Sequence, residues 1–206
     1  MPGEQTAMRA VMPVVVPHVM EWRKRRGLDR WDEMWKGELH MAPAPNLEHQ
    51  DFEGDLREYL KKHWAKPIRA KVFHQVNLAS VGGWPDDFRI PDLALVTRER
   101  MDISQEECLE GAPQAVVEIR SPGDETREKF PFYAELGVPE VWVIDRDSKE
   151  PEVHLLRGGK YRKQRAVSGG WVRSPATGIE MRAATGSKLS IRIIGNDATR
   201  EELPED

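Results

Sequence analysis

Cysteine is almost absent: Cys108 is the only one in 206 residues. A lone thiol excludes an intrachain disulfide framework and a cysteine-based zinc cluster within one chain, and it weakly favours a reducing compartment. Long apolar runs are missing as well, and no stretch is long enough to span a bilayer. The apolar segment from Met12 to Val19 is short and is broken by Pro13 and Pro17. It has neither a basic start nor a small-residue cleavage site, so it does not read as a signal peptide. A soluble cytoplasmic protein without a membrane partner is the expectation. A basic excess is lacking too: 31 Lys and Arg stand against 35 Asp and Glu, a formal net charge of −4. That disfavours a general polycation that binds nucleic acid by charge alone, but not an enzyme whose acidic residues collect around a cation.

What the chain does have is acid inside apolar runs. Asp92 lies in Arg89-Ile90-Pro91-Asp92-Leu93-Ala94-Leu95-Val96, and Glu118 lies in Ala115-Val116-Val117-Glu118-Ile119-Arg120. Both runs are rich in Val, Ile and Leu and read as buried strands. A carboxylate in such a place is costly unless a charge pairs with it. Two of them on neighbouring strands point to a shared cation.

The length suits one sizeable α/β domain with its own core. Residues 1–20 read as a flexible N-terminal arm, 21–195 as a single domain and 196–206 as an acidic, disordered tail. A helical segment carries the basic run Arg23 to Arg26, whose plain reading is a solvated face and whose sharper reading is phosphate contact. Trp35 to Met41 reads as a hairpin arm turning at Gly37. Leu47 to Trp64 has apolar residues at helical spacing, and Asn46 could cap it. Val72 to Leu78 alternates like a strand. After Glu118 the spacing predicts a helix that starts near Thr126 to Glu128, because Pro131 is tolerated only in a first turn. Gly137 closes it. A strand from Val138 to Asp145, a hairpin around Gly158-Gly159, and one or two strands within residues 171–194 complete a mixed sheet. A parallel crossover joins the Glu118 and Val141 strands.

Asp92 and Glu118 on adjacent strands can converge on a hard divalent ion, Mg²⁺ or Mn²⁺, with the Ile119 carbonyl as a third protein oxygen. Such a metal acidifies a bound water and stabilises charge on a phosphate. Arg120 could hold a phosphate or a carboxylate but is a poor proton acceptor. Lys129 lies at the start of the next helix, with Tyr133 four residues on along the same face. Each has a plainer reading: Asp92 as a turn residue after Pro91, Glu118 as a partner of Arg120, Lys129 as a solvated lysine, and Tyr133 and Trp142 as core. Asp87 is a remote candidate for the metal. His74 and His154 have no matched partner and read as structural.

Together these elements resemble the Uma-two family of restriction-endonuclease-like nucleases, a branch of the PD-(D/E)XK superfamily. The resemblance rests on several blocks in order: Trp35-Lys36-Gly37-Glu38-Leu39, Pro45 with His49-Gln50, Arg89-Ile90-Pro91-Asp92, Val117-Glu118-Ile119-Arg120-Ser121-Pro122, Lys129 with Tyr133, and Gly137-Val138-Pro139-Glu140-Val141-Trp142. Roughly residues 30–160 are covered. The resemblance implies a restriction-endonuclease-like mixed sheet flanked by helices, with added hairpins. It implies an Mg²⁺- or Mn²⁺-dependent endonuclease acting on DNA, and homodimers. It moves the lysine from the strand to the helix, so that Lys129 takes the basic role, and it places Glu38 and His49 at the rim of the site. Arg120 departs from the family pattern, where an aliphatic residue is common. A nuclease fold without turnover that serves in binding or assembly, and a phosphodiesterase on small phosphorylated substrates, are the rival readings.

Overall fold

The computed structural model describes residues 10–205. Residues 1–9, within the expected arm, and Asp206 lie outside the described residues. The chain begins with β1 (Ala10–Met12), α1 (Pro17–Arg25), β2 (Asp32–Trp35), β3 (Glu38–Met41) and α2 (Leu47–Tyr59). A π-helical segment, Leu60–Ala65, carries α2 into the short α3 (Lys66–Ile68). Next come β4 (Lys71–His74), β5 (Leu78–Ala79), β6 (Phe88–Arg89), β7 (Leu93–Val96), β8 (Leu109–Glu110) and β9 (Ala115–Arg120). The crossover helix α4 (Phe130–Leu136) leads to β10 (Glu140–Asp145), β11 (Pro151–Arg157) and β12 (Lys160–Lys163). The chain ends in β13 (Val172–Ser174), β14 (Ile179–Ala184), β15 (Lys188–Ile193) and β16 (Asn196–Leu203).

The central sheet has the order β12-β11-β10-β9-β7-β4. It is antiparallel except for β9 and β10, the parallel pair expected around α4. Both faces are covered, which is why its strands read as continuous apolar runs. Ala115, Val117 and Ile119 pack against Phe52, Leu56 and Leu60 of α2 and its extension, and against Ile179, Met181 and Leu189 of the last sheet. Val116, Val141 and Val143 face Phe132 and Tyr133 of α4. Alternation puts Glu118 on the α4 face with Val116. Asn46 caps α2, its side-chain oxygen accepting from the His49 N–H at 2.9 Å. Gly137, at φ 83°, ends α4.

Five expectations are corrected. The helix after Glu118 starts at Phe130, not near Thr126, with Lys129 as its N-cap. The Asp124 carboxylate accepts from the N–H groups of Ser121 (2.6 Å) and Thr126 (3.1 Å) and holds this stretch in turns. The strand over residues 72–78 is broken at Gln75, whose φ is 44°. Residues 171–194 form three strands rather than one or two. The acidic end continues the last sheet as β16: Leu203 is 1% exposed, and the Glu201 carboxylate accepts from Lys62 at 2.9 Å and lies 2.8 Å from His63. Within the expected N-terminal arm, Ala10–Met12 pairs with β3. Among the described residues no helix is long and apolar enough to cross a membrane.

Burial of Leu203 makes β16 part of the core. Leu203→Ala should therefore lower unfolding stability by about 2–5 kcal/mol in a urea melt. A loss below about 0.5 kcal/mol would return this segment to the status of a tail.

Candidate active site

The β7–β9 ladder pairs Leu93 with Val117. One step further along that register sets Asp92 opposite Glu118, just before β7 begins. Directly opposite residues of an antiparallel pair share a face and lie within side-chain reach. Asp92 caps the open ladder: its Oδ2 accepts from the Ile119 N–H at 2.6 Å, and its Oδ1 lies 3.0 Å from His49 Nε2 on α2. The backbone of Asp92 also accepts from the Gln75 N–H at 3.0 Å.

Glu118 is 4% exposed. Its Oε1 accepts from the Tyr133 hydroxyl at 2.5 Å, and its Oε2 lies 3.3 Å from Lys129 Nζ. The same ammonium donates to the Ile90 carbonyl at 3.2 Å and pairs with Glu33 Oε1 at 2.8 Å. Glu33, on β2, also accepts from the Ile90 N–H and from the Trp35 indole. Burial pushes Glu118 up to about 8; Lys129 opposes this and the like charge of Asp92 adds to it. Burial also works against the charge of Lys129, but Glu118 and Glu33 outweigh it and raise its pKa. A buried ammonium held by two acids stays charged, and Glu118 is the partner that takes up a proton.

A second acid stands beside the first pair. Glu53, one helical turn after His49, is 1% exposed. Its Oε1 is 2.5 Å from His74 Nδ1, and its Oε2 accepts from Gln75, whose own oxygen accepts from the Trp31 indole. Burial and then Asp92 push Glu53 up to about 8. Burial, with the charges of Arg57 and Arg30, lowers His74. His49 is raised: burial opposes its charge, but the bond and charge of Asp92 prevail. Ligand atoms of His49, Glu53 and Asp92 lie within 4.8 Å of one another, a set that could hold a metal. His49 and Asp92 border a cavity of about 490 Å³, with Glu53 set behind its wall. Asp92, Glu118, Ile119 and Lys129 line it, together with Glu33, His40, Ser121 and Arg146.

Residues 21–186 match the model of the Uma2 family, described as "Putative restriction endonuclease". The chain belongs to the Uma2 family. No protein of curated function is similar to it at a significant level. Among solved structures, a protein titled "putative nuclease belonging to DUF820" from Anabaena variabilis superposes with a TM-score of 0.56. It is 16% identical, over 70% of this chain and 82% of that one. At that identity the likeness shows the nuclease-like fold alone.

In this Uma2 member the structure brings Asp92, Glu118, the Ile119 strand end, Lys129 and His49 to one cavity. It does not bring Glu38, which is exposed at the β2–β3 turn. The acid that this hairpin delivers is Glu33. Arg120 is not among the cavity-lining residues; its guanidinium donates to Asp145 at 2.8 Å. Burial works against the charge of Asp145, but Arg120 and the hydrogen bonds from Ser148 together hold it down to about 2. Asp87 bonds Arg89 and the Lys36 N–H instead of approaching Asp92. Sequence reasoning missed Glu33, Glu53 and His74. For Glu53 a signal existed: His49 and Glu53 are four apart on a helix, the spacing that puts two ligands on one face.

Glu118 binds its proton more tightly in the fold than in the unfolded chain, where glutamate titrates near 4.3. Its contribution to stability is then fully present below about pH 4.3 and is lost as the pH rises through about 8. In metal-free buffer, Glu118→Gln should be more stable relative to wild type at pH 8.5 than at pH 5. Urea melts at both pH values in chelator read this directly, and a gap independent of pH would refute the raised pKa.

Proposed function

We propose that this chain is a divalent-metal-dependent nuclease that hydrolyses DNA phosphodiester bonds in the cavity beside Asp92, Glu118 and Lys129. The observation that carries this reading is the convergence of a buried acid on β9, a half-buried acid just before β7 and a half-buried ammonium at the cap of α4 on a single opening. Membership of the Uma2 family supports the same chemistry.

The residues present fit a metal. Both Glu53 and Glu118 are acids whose ionisation burial resists, so a bound cation would relieve an existing cost. Asp92, Glu118 and the Ile119 carbonyl offer an all-oxygen set suited to Mg²⁺ or Mn²⁺. Asp92 with His49 and Glu53 offers a mixed set, which suits a softer transition ion. When bound, the ion supplies Lewis acidity toward a phosphate oxygen and lowers the pKa of a bound water.

The chain's own groups divide the remaining tasks. Lys129, charged and anchored to Glu33, Glu118 and the Ile90 carbonyl, stabilises negative charge on the phosphate and orients the attacking water. Its raised pKa makes it a poor proton acceptor. His49 holds Asp92 in place, Tyr133 fixes the rotamer of Glu118, and Arg120 steadies the end of β9 through Asp145.

Purified protein supplied with Mn²⁺ or Mg²⁺ should cleave plasmid or single-stranded DNA. Asp92→Ala and Glu118→Gln should lose activity by about 10³-fold or more, and Lys129→Met by about 10²–10³-fold. Equal cleavage by wild type and Asp92→Ala, or none with any divalent ion, would refute the activity. Because Glu53 and Glu118 must give up protons, binding of Mn²⁺ near pH 7 should release protons. Calorimetry in two buffers of different ionisation enthalpy measures this, and Glu53→Gln discriminates the mixed set from the oxygen set. Identical proton release and affinity in Glu53→Gln would exclude the mixed set.

A further inference from the structure

One segment reverses the charge of the molecule. Residues 57–71 hold six cations (Arg57, Lys61, Lys62, Lys66, Arg69 and Lys71) against one acid, Glu58. The rest of the chain, with 25 Lys and Arg against 34 Asp and Glu, carries −9. Lys61, Lys62, Lys66, Arg69 and Lys71 are all exposed. Of these, Lys62 is paired, with Glu201 at 2.9 Å. Among the described residues Lys61, Lys66, Arg69 and Lys71 make no ion pair.

The π-helical segment between α2 and α3 gathers part of this charge into a groove. The groove is about 380 Å³ and is lined by Gly54, Arg57, Glu58, Lys61, Lys62 and Lys66. Two further features point to a ligand there. The Arg57 Nε is buried without a hydrogen-bond partner. Gly54 sits inside α2, where glycine costs about 1 kcal/mol relative to alanine, yet a Cβ there would meet nothing within 4 Å. Internal packing therefore does not require this glycine; open backbone beneath a cationic rim suits close approach by an anion. The ridge also begins at the candidate site, since Arg57 is one helical turn beyond Glu53 and its charge acts on both Glu53 and His74.

We propose that the Arg57–Lys71 ridge binds the phosphate backbone of a DNA duplex and leads it to the cavity beside Asp92. This rests on the nuclease reading above and names its substrate class, a polymer rather than a small phosphorylated molecule. From Arg57 to Lys66 the helix rises about 14 Å, the length of about four nucleotide steps. A mononucleotide seated in the cavity gains nothing from that length. An acidic net charge elsewhere keeps non-specific binding low, against which the cations of the ridge attract phosphate.

The test is fluorescence anisotropy with a labelled duplex of about 20 base pairs, in chelator, between about 50 and 200 mM salt. Lys61→Gln/Lys66→Gln removes two exposed charges, and Lys160→Gln/Arg162→Gln on β12 is the control. The ridge variant should bind about 10–100-fold more weakly, and the log–log salt slope should fall by about 1.8. The control should match wild type. Unchanged affinity and slope in the ridge variant would overturn the proposal, as would equal competition by a polyglutamate of the same charge. Cleavage of the same duplex in Mn²⁺ is read in parallel. Wild-type cleavage with no ridge effect removes the ridge alone, while ridge-dependent binding without Asp92-dependent cleavage removes the nuclease reading alone.

Discussion

The ammonium of Lys129 is the interaction on which the rest of the site depends. It is buried and shared by Glu33, Glu118 and the Ile90 carbonyl. A buried ammonium with no partner costs several kcal/mol, and so does a buried carboxylate. Loss of the lysine would leave Glu33 and Glu118 without their shared cation, and loss of both acids would leave the lysine without a counter-charge. The network therefore clamps the hairpin, the Ile90–Asp92 segment and the start of α4 to the central sheet. Burial raises both Glu118 and Glu53 to about 8, so ionising either acid carries a cost that the one lysine does not remove.

Sheet topology decides where that cavity opens. β7 begins only at Leu93 while β9 runs on to Arg120, so the ladder between them stops short of Glu118. The exposed N–H of Ile119 needs an acceptor, and Asp92 supplies it at 2.6 Å. The same carboxylate meets His49 near the N-terminus of α2, where the helix dipole and the Asn46 cap favour negative charge. A ladder that stops, a helix that starts and a crossover that returns meet at one point. None of the three would place an acid in the interior by itself.

Much of this was legible in the sequence, for a definite reason. Asp92 and Glu118 stand out because each breaks an apolar run, and a broken rule in a buried strand is visible one residue at a time. The α4 crossover, the cap at Asn46 and the stop at Gly137 were also local. What escaped depends on pairing across distance. Glu33 lies 85 residues before Glu118 in the chain, on a hairpin whose outward acid, Glu38, was the more visible. Glu53 carries no such local mark in the sequence. Only the left-handed turn at Gln75 brings His74 and Gln75 against it. The acidic end reads as a tail because its composition is polar. β16 is nonetheless ordered by Leu203, a single buried side chain, and by Glu201 on the cations of the α2 extension.

The position of the lysine follows from these same constraints. On β9 the residue two beyond Glu118 shares its face, and a lysine there would stand beside the acid. Arg120 occupies that position, but the parallel register sets Asp145 of β10 directly beside it, and the two charges close on each other. The Arg120 side chain is 41% exposed, whereas that of Lys129 is 13% exposed. A cation delivered from the helix is thus more buried than one delivered from the strand, and one acid does not neutralise its desolvation. Glu33 is the second acid. The late start of α4, set by Pro131 and the Asp124 turn, leaves Lys129 at the helix cap rather than on its solvent face. The burial of Lys129 at the helix cap and the placement of Glu33 on the hairpin therefore depend on each other.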